Sequence, residues 1–359
     1  MTRQTDRRPK GRIPVYLLTG FLGAGKTTLL NRLLAQPGMQ DTALIINEFG
    51  LVPVDHDLVR EGQERPVVTT TGCICCSVGS DLRRSLDSLL VGRRRGELPP
   101  FSRVIVETTG LADPAPIINS LIPGGITAVS LSDHAVARAF ELASVLTVVD
   151  VEGIGAALAQ HPESLRQIAF ADQIVLSHTD QTSAGDWPER LRALNPSLRF
   201  VDAARDGVDP KLLLRPGSYS AFGKGEDVSA WLAAEAGREA GGGHFHDLNR
   251  HGDVLAVPLT SDQPLDRDAL RRFLNRLVTT PGNGVLRIKG LVALKEAPER
   301  PAVIHVVQHR IYPMSELERW PEGMRESRLV VIGTGLDAEA LRRQFAELSR
   351  AVRPVFPMM

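Results

Sequence analysis

The sequence predicts an α/β domain on a mainly parallel sheet, followed by a smaller α+β C-terminal domain. Three observations predict it. Short apolar runs alternate with amphipathic stretches through the first two hundred residues, a glycine-, charge- and histidine-rich stretch interrupts the pattern around Ala221–Asp253, and strands outnumber helices beyond it. Val15–Leu18, Ala43–Ile46, Val104–Val106, Val145–Val149 and Ile174–Leu176 are rich in β-branched residues and nearly all apolar, as strands covered on both faces of a parallel sheet are. Helical patterns at Thr28–Ala35, Leu82–Leu90 and Glu189–Leu194 lie among them, and this alternation is the mark of an α/β layer. After the interruption, Val254–Leu259, Val285–Leu294, Ala302–Gln308 and Leu329–Gly333 read as strands of a small antiparallel sheet. Asp266–Leu277 and Asp337–Val352 read as its two helices. The expected segmentation is a tail over 1–12, the α/β domain over 13–220, a linker over 221–253 and the second domain over 254–359.

At 359 residues the chain suits two domains of roughly 100–200 residues each. Its 42 Lys and Arg balance 42 Asp and Glu, so no net charge favours nucleic acid or an anionic membrane. Met1–Arg12 is polar and basic without the apolar core of a signal peptide, and no apolar run is long enough to span a membrane. The expectation is a soluble, cytoplasmic protein without nucleic-acid or membrane partners. All three cysteines, Cys73, Cys75 and Cys76, fall within four residues, whereas a disulfide scaffold would spread them along the chain.

Gly20-Phe21-Leu22-Gly23-Ala24-Gly25-Lys26-Thr27 fits G-x-x-x-x-G-K-[ST] after a strand and before a helix, the context this phosphate-binding loop requires. Gly20, Gly23, Ala24 and Gly25 let backbone amides close around phosphate oxygens, and the helix start at Thr27-Thr28 adds its partial positive charge. Lys26 can bridge the β- and γ-phosphates, and Thr27 can ligate Mg²⁺. The first domain therefore reads as a P-loop NTPase domain.

Val104-Ile105-Val106-Glu107-Thr108-Thr109-Gly110 is an apolar strand that ends in an acid, with a glycine three residues later. Glu107 can hold Mg²⁺ directly or through water, and Gly110 can offer its amide to the γ-phosphate and sense hydrolysis. The bland alternative is a strand ending in a helix cap, with Thr109 or Asp113 as the capping side chain. After Ile174–Leu176 comes Ser177-His178-Thr179-Asp180, where guanine-specific P-loop proteins carry Asn-Lys-x-Asp. Asp180 can accept the two guanine N–H donors, while Ser177 and His178 depart from the pattern, so guanine is favoured over adenine without the full signature.

Thr71-Gly72-Cys73-Ile74-Cys75-Cys76 precedes a helical stretch. Thiolates are soft ligands that favour zinc or copper(I) over magnesium, and zinc wants four ligands, so Cys-x-Cys-Cys leaves a place for a donor such as Glu48. Buried inert thiols or a redox pair are the alternatives. The cluster lies between the P-loop and the Glu107 strand in sequence, where residues can move with the nucleotide state.

In this order, Gly20–Thr27, Asn47-Glu48-Phe49-Gly50, Gly72–Cys76, Glu107–Pro114 and Ser177–Asp180 resemble the CobW-like family of metal-handling GTPases. Arg287-Ile288-Lys289-Gly290 is similar to part of that family's C-terminal domain. The resemblance implies GTP hydrolysis gated or stimulated by metal. It also implies a zinc or cobalt metallochaperone or insertase serving a client metalloprotein or cofactor pathway, and it allows a homodimer. Leu51 stands where many members carry an acidic residue. His244, His246 and His251 in the glycine-rich stretch can collect metal, though loop histidines are more often merely solvated; His305 and His309 read as structural. Two readings compete with the GTPase: a nucleotide-binding metal storage or regulatory protein without productive hydrolysis, and a small-molecule kinase. The kinase has no use for Cys73–Cys76. An open face of the second domain's sheet would offer a client a docking surface.

Overall fold

The structure, a computed structural model, describes residues 11–47, 67–71, 78–122, 131–217, 254–282, 284–321 and 325–349. These divide into two compact units. The first takes the described residues up to Gln167, then Ala171–Gly185 and those from Arg199 to 217. The second takes Ile168–Phe170, Asp186–Leu198 and the described residues from Val254 onward.

Seven strands build the first unit: β1 (Ile13–Gly20), β2 (Thr42–Asn47), β3 (Val67–Thr71), β4 (Arg103–Glu107), β5 (Phe140–Asp150), β6 (Gln173–Ser177) and β7 (Arg199–Asp202). They run in the order β3-β2-β4-β1-β5-β6-β7, and every pairing is parallel. Val15, Leu17, Ala43, Val104, Val145, Ile174 and Val175 lose essentially all their exposure, because helices cover both faces. Each buried Val, Leu or Ile among them contributes about 1.5–3 kcal/mol, and burial on both faces is why these runs read as continuous apolar stretches rather than alternating ones.

The covering helices are α1 (Lys26–Leu34), α2 (Val78–Arg95), α3 (Pro114–Leu121), α4 (Leu131–Ala139), α5 (Ile154–Gln160), α6 (Pro162–Phe170), α7 (Trp187–Leu194) and α8 (Pro210–Leu213); the last three residues of α6 and all of α7 count with the second unit. Strand order reverses at β1, which has β4 on one side and β5 on the other. Open α/β sheets bind ligands outside the carboxyl ends of the strands at such a switch point. Gly20, Glu107 and Asp150 all sit at those ends.

The second unit carries β8 (Val254–Ser261), α9 (Arg267–Thr279), β9 (Gly284–Leu294), β10 (Ala297–Val307), β11 (Arg310–Ile311), β12 (Ser315–Glu316), β13 (Ser327–Thr334) and α10 (Ala338–Glu347). The sheet order is β11-β10-β9-β13-β8 with β12 on β10, and all pairings are antiparallel. Asp266 and Asp337 cap the two helices by accepting the amides of Ala269 and Ala340, each at 2.9 Å. Phe273, Leu274, Leu341 and Phe345 pack with Val257, Ile288, Ile304 and Val331 into its core.

Two expectations are corrected here. The last helix ends at Glu347, not near Val352: the Leu348 amide bonds the Phe345 carbonyl in a tightened turn. The alternate sheet face is not open, because Arg287, Leu291, Val330 and Ile332 on it are buried, and Arg287 Nη1 donates to the Phe170 carbonyl of the same unit at 3.0 Å. The stretch 221–253, with His244, His246 and His251, lies outside the described residues. No described helix is long and apolar enough to cross a membrane.

Candidate nucleotide site

The loop Phe21–Gly25 joins β1 to α1, and the strand residue that leads into it, Gly20, adopts a geometry only glycine permits. Gly20 has φ +141°, and a Cβ there would lie 2.3 Å from the Val148 carbonyl oxygen of β5. Gly23 and Gly25 also have positive φ, at 76° and 90°. Gly25 is the N-cap of α1, which has neither a side-chain cap nor an acid in its first turn. Its leading amides and partial positive charge therefore face the loop.

Lys26 is 9% exposed and its Nζ donates to the Phe21 carbonyl at 3.0 Å, so the ammonium curls back over the loop it follows. Burial pushes its pKa below the ordinary lysine value, and the charge of Glu107 partly restores it. A desolvated ammonium in such a cradle is stabilised by an incoming anion. Ala24 is buried, whereas Thr27 and Thr28 are exposed on the first turn.

Glu107 ends β4 in register with Leu18 and is 5% exposed. Its Oε1 accepts a hydrogen bond from Thr27 Oγ1 at 2.7 Å, joining the acid to the P-loop threonine across 80 residues of sequence. Two oxygens of this kind, a carboxylate and a hydroxyl, fit a hard cation such as Mg²⁺. The next residue is tied down as well: the Thr108 amide donates to Leu18 O at 3.0 Å, and its hydroxyl to Thr19 Oγ1 at 2.9 Å.

Gly110 sits so close to the P-loop that a Cβ would meet the Leu22 nitrogen at 2.5 Å. Of the two capping candidates, Asp113 is the one that caps: its Oδ1 accepts the Ala115 amide at 2.9 Å, while the Thr109 carbonyl takes the Ala112 amide. Glu107 and Asp113 thus do different things in one segment, and the cap does not displace the acid from Thr27. Leu22 and Leu111, one on each loop, are the exposed large apolar side chains of this face, at 57% and 48%.

Ser177, at the end of β6, donates its one hydroxyl proton to the Ala24 carbonyl at 2.8 Å, with the Val149 carbonyl 3.3 Å away as the alternative acceptor. It ties the loop after β6 to the P-loop, a task its short hydroxyl can perform where the usual pattern has asparagine. His178 adopts φ +58°, and its Nδ1 lies 2.9 Å from Asp150 Oδ1. Its carbonyl accepts the amides of Gln181 and Thr182, closing a turn on which Asp180 is exposed. Thr179 Oγ1 donates to Asp202 at the end of β7. Burial pushes the Asp202 carboxyl up, but the bonds from Thr179, Arg205 and Ala204 outweigh it and hold the group below its ordinary value.

Asp150 and Asp202 belong to the site although the sequence reading passed over them. The signal was available for Asp150, which ends the apolar strand β5 as Glu107 ends β4, but not for Asp202, which ends the short, partly buried strand Arg199-Phe200-Val201-Asp202. Cys73, Cys75, Cys76 and Glu48 lie outside the described residues, as does Leu51. Among the described residues no group of three or more His, Cys, Asp or Glu could hold a metal ion.

Residues 14–202 match the family model described as CobW/HypB/UreG, nucleotide-binding domain, and residues 255–349 match that described as cobalamin synthesis protein cobW C-terminal domain. The chain belongs to the CobW/HypB/UreG family. Within it, the chain is 30% identical over 340 residues to the zinc chaperone YjiA of Escherichia coli, covering 94% of this chain and 99% of that protein. It is likewise 30% identical over 373 residues to the zinc chaperone CobW of Sinorhizobium sp, covering 96% and 99%. A crystal structure of Zn(II)-bound YjiA GTPase from E. coli superposes with a TM-score of 0.68 at 25% identity, covering 94% of this chain and 99% of that one. The family and the two-part architecture expected from the sequence are therefore those of the protein.

Proposed function

We infer that the protein is a GTP-hydrolysing zinc metallochaperone of the cytoplasm, organised as a nucleotide domain over 13–220, a linker over 221–253 and a C-terminal domain over 254–359. What carries the reading is the P-loop threonine meeting a buried strand-end acid, Thr27 Oγ1 to Glu107 Oε1 at 2.7 Å. It does so in a chain that aligns along nearly its whole length with zinc chaperones.

Lys26 leaves the Phe21 carbonyl for the β- and γ-phosphate oxygens, and the uncapped amides of α1 take the remaining phosphate charge. Thr27 and Glu107 hold Mg²⁺, which supplies charge neutralisation at the phosphates when bound. Gly110 turns its amide to the γ-phosphate and reports its loss. Asp180 accepts the guanine N–H groups, Ser177 fixes their distance from the P-loop, and His178 on Asp150 takes the position of the usual lysine. Intrinsic turnover is slow, as in P-loop switches that wait for a partner.

Zinc is the cargo, taken by Cys73, Cys75 and Cys76 with Glu48 as the fourth donor; cobalt is the other ion such a set accepts. Delivery goes to a client metalloprotein or cofactor pathway. The test is zinc and cobalt affinity by competition titration with Mg-GTP, Mg-GDP or no nucleotide, on wild type and a Cys73/Cys75/Cys76→Ser variant. Tight, thiol-dependent binding that changes with nucleotide is the expected result. Equal affinity in all three nucleotide states would sink the metal-switch mechanism.

A further inference from the structure

One buried polar side chain touches the γ-phosphate side of the site without belonging to any motif. Gln167, on α6, is 0% exposed. Its Nε2 donates to two carbonyls of the loop after β4, Gly110 O at 3.0 Å and Ala112 O at 3.1 Å. Its own backbone carbonyl accepts Thr147 Oγ1 of β5 at 2.9 Å, which anchors the residue to the sheet. Oε1 is buried and has no protein partner among the described residues. The amide orientation is therefore fixed by its donors, because a flipped amide would aim Oε1 at two carbonyl oxygens.

The loop it grips is anchored at its two ends, by Thr108 on β1 and by Asp113 capping α3, and Gln167 holds the stretch between them. Gly110 lies against the Leu22 backbone, and Ala112 closes a turn onto Thr109. Arg166, the neighbour of Gln167, adds an ion pair to Asp113 at 3.0 Å, but both side chains are partly exposed, so it contributes little. Gln167 is different: desolvating two carbonyls without a donor is costly, so the grip persists and sets the plane of the peptide that follows Gly110.

We propose that Gln167 is a positioning residue for γ-phosphate recognition, holding the Gly110 loop against the P-loop in the geometry that distinguishes a nucleoside triphosphate from a diphosphate. This rests on the reading of Gly110 as the γ-phosphate sensor. A residue that only supported the fold would affect both nucleotides alike. A residue that aims Gly110 affects the triphosphate alone, because the diphosphate is held by the P-loop.

The experiment uses the full chain as wild type, Gln167→Leu and Gln167→Met, with Arg166→Ala for comparison. It measures affinity for GDP and for a non-hydrolysable guanosine triphosphate analogue, together with kcat and KM for GTP. Both Gln167 variants should keep GDP affinity within about twofold, lose about tenfold in analogue affinity, the scale of one buried hydrogen bond, and lose kcat. Arg166→Ala should stay near wild type. The Met variant, closest in shape, decides the matter where the Leu variant folds poorly. An unchanged analogue-to-GDP ratio, or a parallel loss of both affinities, overturns the inference. A wild type that binds both nucleotides equally, or binds neither, overturns the reading of Gly110 and the inference with it, and the wild-type titration alone reveals that case.

Discussion

Replacing Thr27 by valine isolates the contact on which the nucleotide reading turns. The substitution exchanges the hydroxyl for a methyl, opens no cavity and leaves the P-loop backbone alone. It removes the donor to Glu107 Oε1 at 2.7 Å, and Glu107 is nearly fully buried. A hydrogen bond to a charged group contributes about 1.5–3 kcal/mol. Thr27 is exposed, so water replaces part of that, and the lower end, about 1.5 kcal/mol, is the expected loss. For a domain of this size that lowers the melting temperature by about 3–6 °C. The assay is calorimetric melting of nucleotide-free protein in chelator, on wild type, Thr27→Val and Thr27→Ser. The serine variant keeps the hydroxyl and should recover most of the loss. In a second arm, the valine variant should lose about tenfold or more in affinity for nucleotide with Mg²⁺, and little in chelator. A valine variant that melts with wild type, or a serine variant that melts with valine, refutes the account of the Thr27–Glu107 pair.

Gly20→Ala places a Cβ against the Val148 carbonyl at positive φ. Strain and overpacking together should cost about 3 kcal/mol in a urea titration and abolish nucleotide binding, and a wild-type midpoint would contradict this. Asp180→Asn turns an acceptor of two N–H groups into a mixed donor and acceptor. Guanine nucleotide affinity should fall at least about tenfold while xanthine nucleotide affinity rises, and an unchanged preference would remove Asp180 from base recognition. Lys26 has its pKa lowered by burial, and phosphate restores its charge, so the bound state holds the proton more tightly than the free one. Nucleotide affinity should therefore fall as pH rises through the lowered free-state value, with proton uptake on binding in that window. Calorimetry in buffers of different ionisation heat checks the sign, and proton release would reverse it.

The parts of the site that were legible in the sequence are those whose spacing a ligand dictates. Gly20–Thr27 must present consecutive amides to phosphate, so the pattern survives whatever surrounds it. Glu107 was legible because an acid ending a buried strand is conspicuous. Asp150 ends β5 in the same way and went unread, since its role appears only when His178 at φ +58° brings Nδ1 to it. Helix α3 was legible only through its start, with Asp113 one of two candidate caps; Pro114 at the first helical position is the further signal that favours Asp113 over Thr109. Gln167 had no local signal. It sits on a short helix that reads as surface, and its partners lie 55 and 57 residues earlier. The buried sheet face bearing Arg287 was hidden too: the resemblance of Arg287–Gly290 marked the residue, but its carbonyl partner Phe170 lies 117 residues earlier.

The proposed coupling between nucleotide and metal needs a route that does not dissipate within the first unit. The loop after Glu107 leads directly into α3, whose N-cap is Asp113, so a loop drawn toward the γ-phosphate pulls the start of that helix. At its other end the carbonyl of Ser120 is held by Arg83 Nε at 3.0 Å, and Arg83 Nη1 reaches Asp133 of α4 at 3.4 Å. Arg83 belongs to α2 and is buried at 7% exposure. Stripping a buried guanidinium of its partners costs several kcal/mol, so Arg83 links α2 to the end of α3 firmly. Helix α2 begins at Val78, two residues after Cys76 in the chain. Under the proposed function, α3 and Arg83 are the contiguous contacts through which a shift at Gly110 would reach the helix that follows the thiols.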